Sequence, residues 1–235
     1  MPMDETLQAP AKPKRKTGIL LLALLLVVLS TAFLTVRAVR WLRDRENAKL
    51  LTLVDREHPV EDGYNVEFTL FGDGQMVDSR CVDDLEKMLA ACAGAGGKPE
   101  LESSFRTWGA QELLYDEALA ALRQEGLSEE EAARRLETRV EMPGCSEHQL
   151  GLAVDILEQG CGLPREQQAE TPTLRWLRDN SWRYGFILRY GEDQTAVTGM
   201  EYRPWHFRYV GRDAAEQIFS LRITLEEYLS LFYSS

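Results

Sequence analysis

Three side chains in this sequence have the types and company to hold a metal ion. Residues 143–156 read Pro-Gly-Cys-Ser-Glu-His-Gln-Leu-Gly-Leu-Ala-Val-Asp-Ile, which sets His148 and Asp155 seven residues apart. Glycine and small residues between them let the backbone turn tightly beside a site. A second stretch, Tyr-Arg-Pro-Trp-His-Phe-Arg-Tyr-Val-Gly at 202–211, supplies His206 in an aromatic frame. Imidazole nitrogen and carboxylate oxygen are donors that zinc accepts, and a catalytic zinc takes three protein ligands and keeps one position open. His148, Asp155 and His206 would make a His₂Asp set. Zinc held that way lowers the pKa of a bound water toward about 7 and polarises a carbonyl, which is the chemistry of hydrolysis. The remaining histidine, His58 in Glu57-His58-Pro59, reads as a loop residue with no role.

The elements that must position these groups follow from hydrophobic spacing. Residues 152–157 read as a buried strand, with Ala153 and Asp155 on one face and Leu152, Val154 and Ile156 on the other. Further strands are expected at 64–71, 100–105, 186–190 and 206–210, and Gly72-Asp73-Gly74 turns the chain after the first. Apolar positions at helical spacing predict helices at 82–93, 108–123, 173–184, 213–220 and 225–232. Ser128 and Glu131 form a capping box that opens one more. Residues 141–144 read as a linker into the first motif. Strands and helices mix without regular βαβ alternation, so the fold class is α+β, with a small mixed or antiparallel sheet flanked by helices. Arg106 stands at the end of a predicted strand and Gln111 follows in a helix. The planar fork of Arg106 suits a carboxylate or an oxyanion.

The 235 residues carry a formal net charge of −11, unevenly spread. Residues 1–45 hold eight Lys/Arg and three acids, a net of +5, which leaves −16 for the rest. An acidic main domain argues against nucleic acid as a partner. Residues 19–36 are uncharged and apolar and follow Lys12, Lys14, Arg15 and Lys16. That length approaches the roughly 20 residues a bilayer core needs. The pattern predicts a cytoplasmic tail at 1–16, a single transmembrane anchor at 17–36, a charged stalk at 37–50 and an extracellular domain at 51–235 at the cell membrane. An exported domain permits disulfides among Cys81, Cys92, Cys145 and Cys161. Cys81 and Cys92 stand about three helical turns apart, too far to bond each other, and a Cys145–Cys161 pair stays open.

Taken together, these motifs resemble the VanY-type zinc D-alanyl-D-alanine carboxypeptidases and their L,D-carboxypeptidase relatives. The family pattern Ser-x-His-x-x-Gly-x-Ala-x-Asp is matched by Ser146, His148, Gly151, Ala153 and Asp155. The later Pro-Trp-His segment is matched from Pro204 to Gly211, and an upstream Ser-x-x-Arg with a downstream Gln by Ser103, Arg106 and Gln111. The resemblance implies a Hedgehog/DD-peptidase-like fold. It implies zinc on His148, Asp155 and His206, an oxyanion or substrate role for Arg106, and substrate contacts from Gln111, Ser146 and Trp205. The implied substrate is the stem peptide of peptidoglycan, trimmed of a C-terminal D-alanine. One position departs. The family has a water-activating glutamate directly before Pro-Trp-His, and this chain has Arg203. Arginine stays protonated and cannot serve as a base near neutral pH. Glu201, two residues earlier, would face the same side of a strand and is the expected substitute. The alternative is a zinc- and peptidoglycan-binding homologue with impaired catalysis.

Overall fold

The computed structural model describes residues 24, 27–31, 33–35, 49–61, 63–65, 67–72 and 74–233. The chain divides into two compact units, Met1–Glu46 and Asn47–Ser235. In the first, residues 27–31 and 33–35 are helical and exposed. The hydroxyls of Ser30, Thr31 and Thr35 donate to the carbonyls of Val27, Val28 and Thr31. Among the described residues no helix is long and apolar enough to cross a membrane. The tail expected at 1–16, much of the anchor at 17–36 and the stalk through residue 48 lie outside the described residues.

The second unit opens with Leu50 and Leu51, both buried in its core. A hairpin follows, β1 (Phe68–Phe71) against β2 (Gln75–Asp78), antiparallel about the glycine turn. The strand expected from residue 64 begins only at Phe68, because Tyr64 is held in a turn by its N–H on the Glu61 carbonyl. Helix α1 (Val82–Gly94) buries Leu85, Met88 and Cys92. Strand β3 (Pro99–Ser103) leads through Thr107, whose hydroxyl caps the Ala110 N–H, into α2 (Trp108–Gln124). Helix α3 (Glu129–Leu136) starts on the Ser128–Glu131 capping box, which forms in both directions.

The sheet that carries the site is four-stranded and antiparallel, in the order β3, β4 (Ala153–Glu158), β6 (His206–Tyr209), β5 (Phe186–Leu188). Helix α4 (Pro172–Asn180) is shorter than the expected 173–184. A tighter 3₁₀ turn at Ser181–Tyr184 replaces its last turn and ends at Gly185, φ +80°. A short helix α5 (Thr195–Thr198), then α6 (Arg212–Leu221) and α7 (Leu225–Tyr233), complete the unit. One apolar cluster joins Leu85 and Met88 of α1 to Val154, Ile156 and Phe207 of the sheet. A second joins Ile187 to Ala215, Ile218, Leu225 and Tyr228. The four cysteines are free. Cys81 and Cys92 are wholly buried, and Cys145 and Cys161 sit in separate loops, one before and one after β4.

Gly151 joins the two halves of the first motif. Its φ is +72°, and a Cβ there would stand 2.8 Å from the Phe68 ring and 3.2 Å from the Asp78 nitrogen. Gly151→Ala combines left-handed strain with this close approach. It is expected to lower stability by about 1–3 kcal/mol, read as a lower urea midpoint with an unchanged slope.

Candidate active site

Asp155 and His206 meet because β4 and β6 pair with those two residues directly opposite. Directly opposed residues on neighbouring strands present their side chains to the same face. His148 arrives from the 3₁₀ turn Glu147–Leu150, which Gly151 closes immediately before β4. One donor atom from each of the three side chains lies within 4.8 Å of the others, and all three residues are buried. Asp155 Oδ1 is 2.9 Å from His206 Nδ1 and 3.3 Å from His148 Nε2.

The protonation pattern follows from the outer partners. His148 Nδ1 lies 2.6 Å from the Ser104 carbonyl oxygen, which can only accept. The proton therefore sits on Nδ1, and the lone pair of Nε2 faces Asp155 with no hydrogen-bond donor opposite it. His206 Nε2 faces Glu147 Oε2 at 3.5 Å, with neither atom hydrogen-bonded among the described residues, and its Nδ1 faces Asp155. Imidazoles anchored by a carbonyl and a carboxylate through their far nitrogens are how metal-binding histidines are oriented. The donor set fits zinc. Burial pushes the His148 pKa down. Burial also acts on Asp155, but the two imidazoles outweigh it and hold the carboxyl well below its usual range. His206 is pushed down by burial and raised overall by Asp155 and Glu147.

Beneath the histidines lies a buried ion network that the sequence reading missed. Glu147 Oε1 accepts from Arg189 Nε at 2.7 Å and stands 2.9 Å from Arg208 Nη1. Arg189 also forks onto Glu226 at 2.6 and 3.0 Å, and Arg208 donates to the carbonyls of Leu50 and Thr52. Burial opposes the Glu147 charge, yet Arg189 and then Arg208 keep its carboxyl below the ordinary range. The available signal was an arginine inside each of two apolar strands, Leu188-Arg189-Tyr190 and Phe207-Arg208-Tyr209.

Arg106 is brought to the triad and Gln111 to Arg106, and Ser146 lies two residues before His148. The Arg106 N–H donates to the His148 carbonyl, and its Nη2 lies 3.7 Å from Asp155 Oδ2. Its Nη1 donates to Gln111 Oε1 at 2.7 Å, and Gln111 Nε2 donates to the Glu141 carbonyl at 2.6 Å. Arg106 Nε and Ser146 Oγ are buried without a hydrogen-bond partner among the described residues. Trp205 is buried next to His206, and Arg165 lies over its ring at 4.9 Å.

One expectation needs correction. Glu201 does not reach the triad. It is about half exposed and accepts from Thr138 Oγ1 and Arg139 Nε. Strand β6 begins only at His206, so two-residue alternation does not extend back to position 201. Arg203, at the position where the base is expected, is charge-paired and hydrogen-bonded. Its Nη1 donates to Glu141 Oε1 at 2.6 Å, its Nη2 donates to the Arg139 carbonyl, and its guanidinium lies over the Tyr190 ring. Tyr190 in turn stacks 5.0 Å from His206. Glu141, in a stretch read only as a linker, is buried at this junction. Burial raises its pKa, and Arg203, His206, Arg106 and His148 together bring it below the ordinary value.

Comparison with known proteins agrees with this geometry. Residues 74–212 match the family described as VanY, D-alanyl-D-alanine carboxypeptidase. A D-alanyl-D-alanine carboxypeptidase of Enterococcus faecalis is 39% identical over 180 residues, 77% of this chain and 65% of that protein, so the chain spans less than two thirds of its length. Among solved structures, a mutant of the vancomycin resistance D,D-pentapeptidase VanY in complex with Zn(II) superposes with a TM-score of 0.71 at 39% identity. The match covers 77% of this chain and 99% of that one. VanYB in complex with D-alanine-D-alanine gives 0.72 at 39% identity, covering 77% and 98%. The chain belongs to the VanY family of D-alanyl-D-alanine carboxypeptidases.

Proposed function

We propose that this protein is a zinc carboxypeptidase that removes the C-terminal D-alanine from peptidoglycan stem peptides. The observation that carries the reading is the buried convergence of His148, Asp155 and His206, with the His148 Nε2 lone pair facing inward and no donor opposite it. Zinc bound there would supply Lewis-acid polarisation of the scissile carbonyl and acidify a water. The protein supplies the rest. His148 is held in its metal-binding form by the Ser104 carbonyl, and the far nitrogen of His206 faces the Glu147 carboxylate. Arg106, with Nε unpaired and Gln111 fixing its other end, offers a preorganised cation to the substrate carboxylate or to the oxyanion. Ser146 Oγ adds an unused polar contact. The anchor read at 17–36 would hold the domain outside the membrane, where stem peptides are found.

The test is D-alanine release from a synthetic pentapeptide ending in D-alanyl-D-alanine. The full-length protein is stripped with a chelator, and activity is measured before and after zinc is restored. Zinc-dependent release supports the peptidase. Arg106→Ala is expected to lower kcat/KM by about 10²–10³-fold while zinc content stays at one per chain. A second reading, a peptide-binding homologue without turnover, rests on Arg203 standing where a base is needed. One zinc per chain with no release of D-alanine from the native protein would favour it.

A further inference from the structure

Hydrolysis at this site gains from a general base beside the triad that is not itself a ligand and takes a proton from the attacking water, a role a carboxylate can fill. Among the described residues four carboxylates are buried: Asp78, Glu141, Glu147 and Asp155. Asp155 belongs to the triad. Asp78 is forked by Arg80 at the end of the hairpin. Glu147 is occupied by Arg189 and Arg208 and faces the far nitrogen of His206. Glu141 remains. Its Oε1 takes one hydrogen bond, from Arg203, and its Oε2 takes none among the described residues. Its backbone carbonyl is tied through Gln111 to Arg106, which borders the triad. Arg203, which holds the Glu141 carboxylate, lies over the Tyr190 ring at 5.1 Å, and that ring stands 5.0 Å from the His206 ring. A cavity of about 320 Å³ reaches Glu141 between Val54, Cys145, Tyr190 and Thr198, which opens a route for solvent protons.

We infer that Glu141 is the catalytic base of this enzyme and that Arg203 is the positioning residue that holds its carboxylate. The inference rests on the peptidase reading. In the reaction the oxygen of a water molecule bonds to the scissile carbonyl carbon, and one of its protons passes to the Glu141 carboxylate. The carbon–nitrogen bond then breaks, and Glu141 returns the proton to the nitrogen of the departing D-alanine. A carboxyl group is left on the shortened peptide. Arg203 favours the ionised form of Glu141, which keeps the base ready at neutral pH.

The test uses full-length, zinc-loaded protein and the variants Glu141→Gln, Glu141→Asp and Arg203→Met. Glu141→Gln is expected to lower kcat by about 10²–10⁴-fold, with KM, and zinc affinity measured by chelator competition, both within threefold. Glu141→Asp keeps the charge on a shorter arm and regains part of the loss, and it serves if the Gln variant fails to fold. The charged and titratable groups facing Glu141 are Arg203, Arg106, His148 and His206 towards the triad, and Asp55, Arg56, Glu57, Glu137, Cys145, Arg189 and Tyr190 around the cavity. Removing Arg203 disfavours the carboxylate form, so Arg203→Met moves the acid limb of the kcat/KM profile to higher pH. Glu201→Gln, on the surface, leaves kcat unchanged. Glu141→Gln turning over within threefold of the native protein would overturn the assignment and leave the peptidase intact. A native protein that binds zinc but releases no D-alanine would overturn both.

Discussion

Asp155→Ala is expected to abolish zinc binding and bring D-alanine release down to the uncatalysed background. Asp155 is the hub of the triad: its Oδ1 is the atom nearest both His206 Nδ1 and His148 Nε2. Without it two imidazoles face each other across a buried space, and a divalent cation loses the one anionic ligand of the set. The remaining anions, Glu147 and Glu141, are engaged by arginines. Arg106, 3.7 Å from Asp155, would then present an uncompensated positive charge to the same space. Metal analysis and D-alanine release measured on one sample check this. Asp155→Ala protein that keeps one zinc per chain would contradict the ligand assignment. The fold should survive, because the β4–β6 backbone pairing does not involve this side chain.

The second large effect concerns stability. Arg189 is wholly buried and carries Glu147 and Glu226 at once. Arg189→Met removes the cation and leaves two carboxylates short of a partner. Breaking a buried pair from one side costs about 3–5 kcal/mol, a large share of the roughly 5–15 kcal/mol that holds a domain together. For a unit of this size, the melting temperature should fall by roughly 6–20 °C. Zinc affinity should fall as well, by about 10–100-fold, because Glu147 orients His206. A melting temperature within 2 °C of the native value would show that the network is not what holds Glu147 beneath the site.

The parts of this site that depend on sequence-local geometry were legible in advance. His148 and Asp155 lie on one turn-and-strand unit, so spacing and Gly151 were enough to pair them. His206 was legible from its aromatic frame, and the register of β4 against β6 then places it opposite Asp155. Arg106 and Gln111 were found because a strand end and the following helix turn lie close together in the chain. Glu141 was not. It reaches Arg203 across 62 residues, and its own segment has no periodicity to mark it. The Glu147–Arg189–Arg208 network hid for a related reason. Arginine in an apolar strand reads as an edge residue unless a buried carboxylate from another element is known to meet it. Glu201 failed because strand alternation was applied to residues 201–205, which lie outside the strand, in irregular backbone and a turn ahead of it. The element boundaries that moved, at residues 64 and 180, did so where a turn or a 3₁₀ segment replaced regular structure.

The claim on which the rest depends is that His148, Asp155 and His206 together hold zinc. Anomalous scattering at the zinc edge from crystals of the reconstituted full-length protein tests it most directly. The expected map has one strong peak among the three side chains, about 2.0–2.2 Å from His206 Nδ1, His148 Nε2 and an Asp155 oxygen. A peak elsewhere in the molecule, or none at these three side chains in protein that contains one zinc per chain, would contradict it.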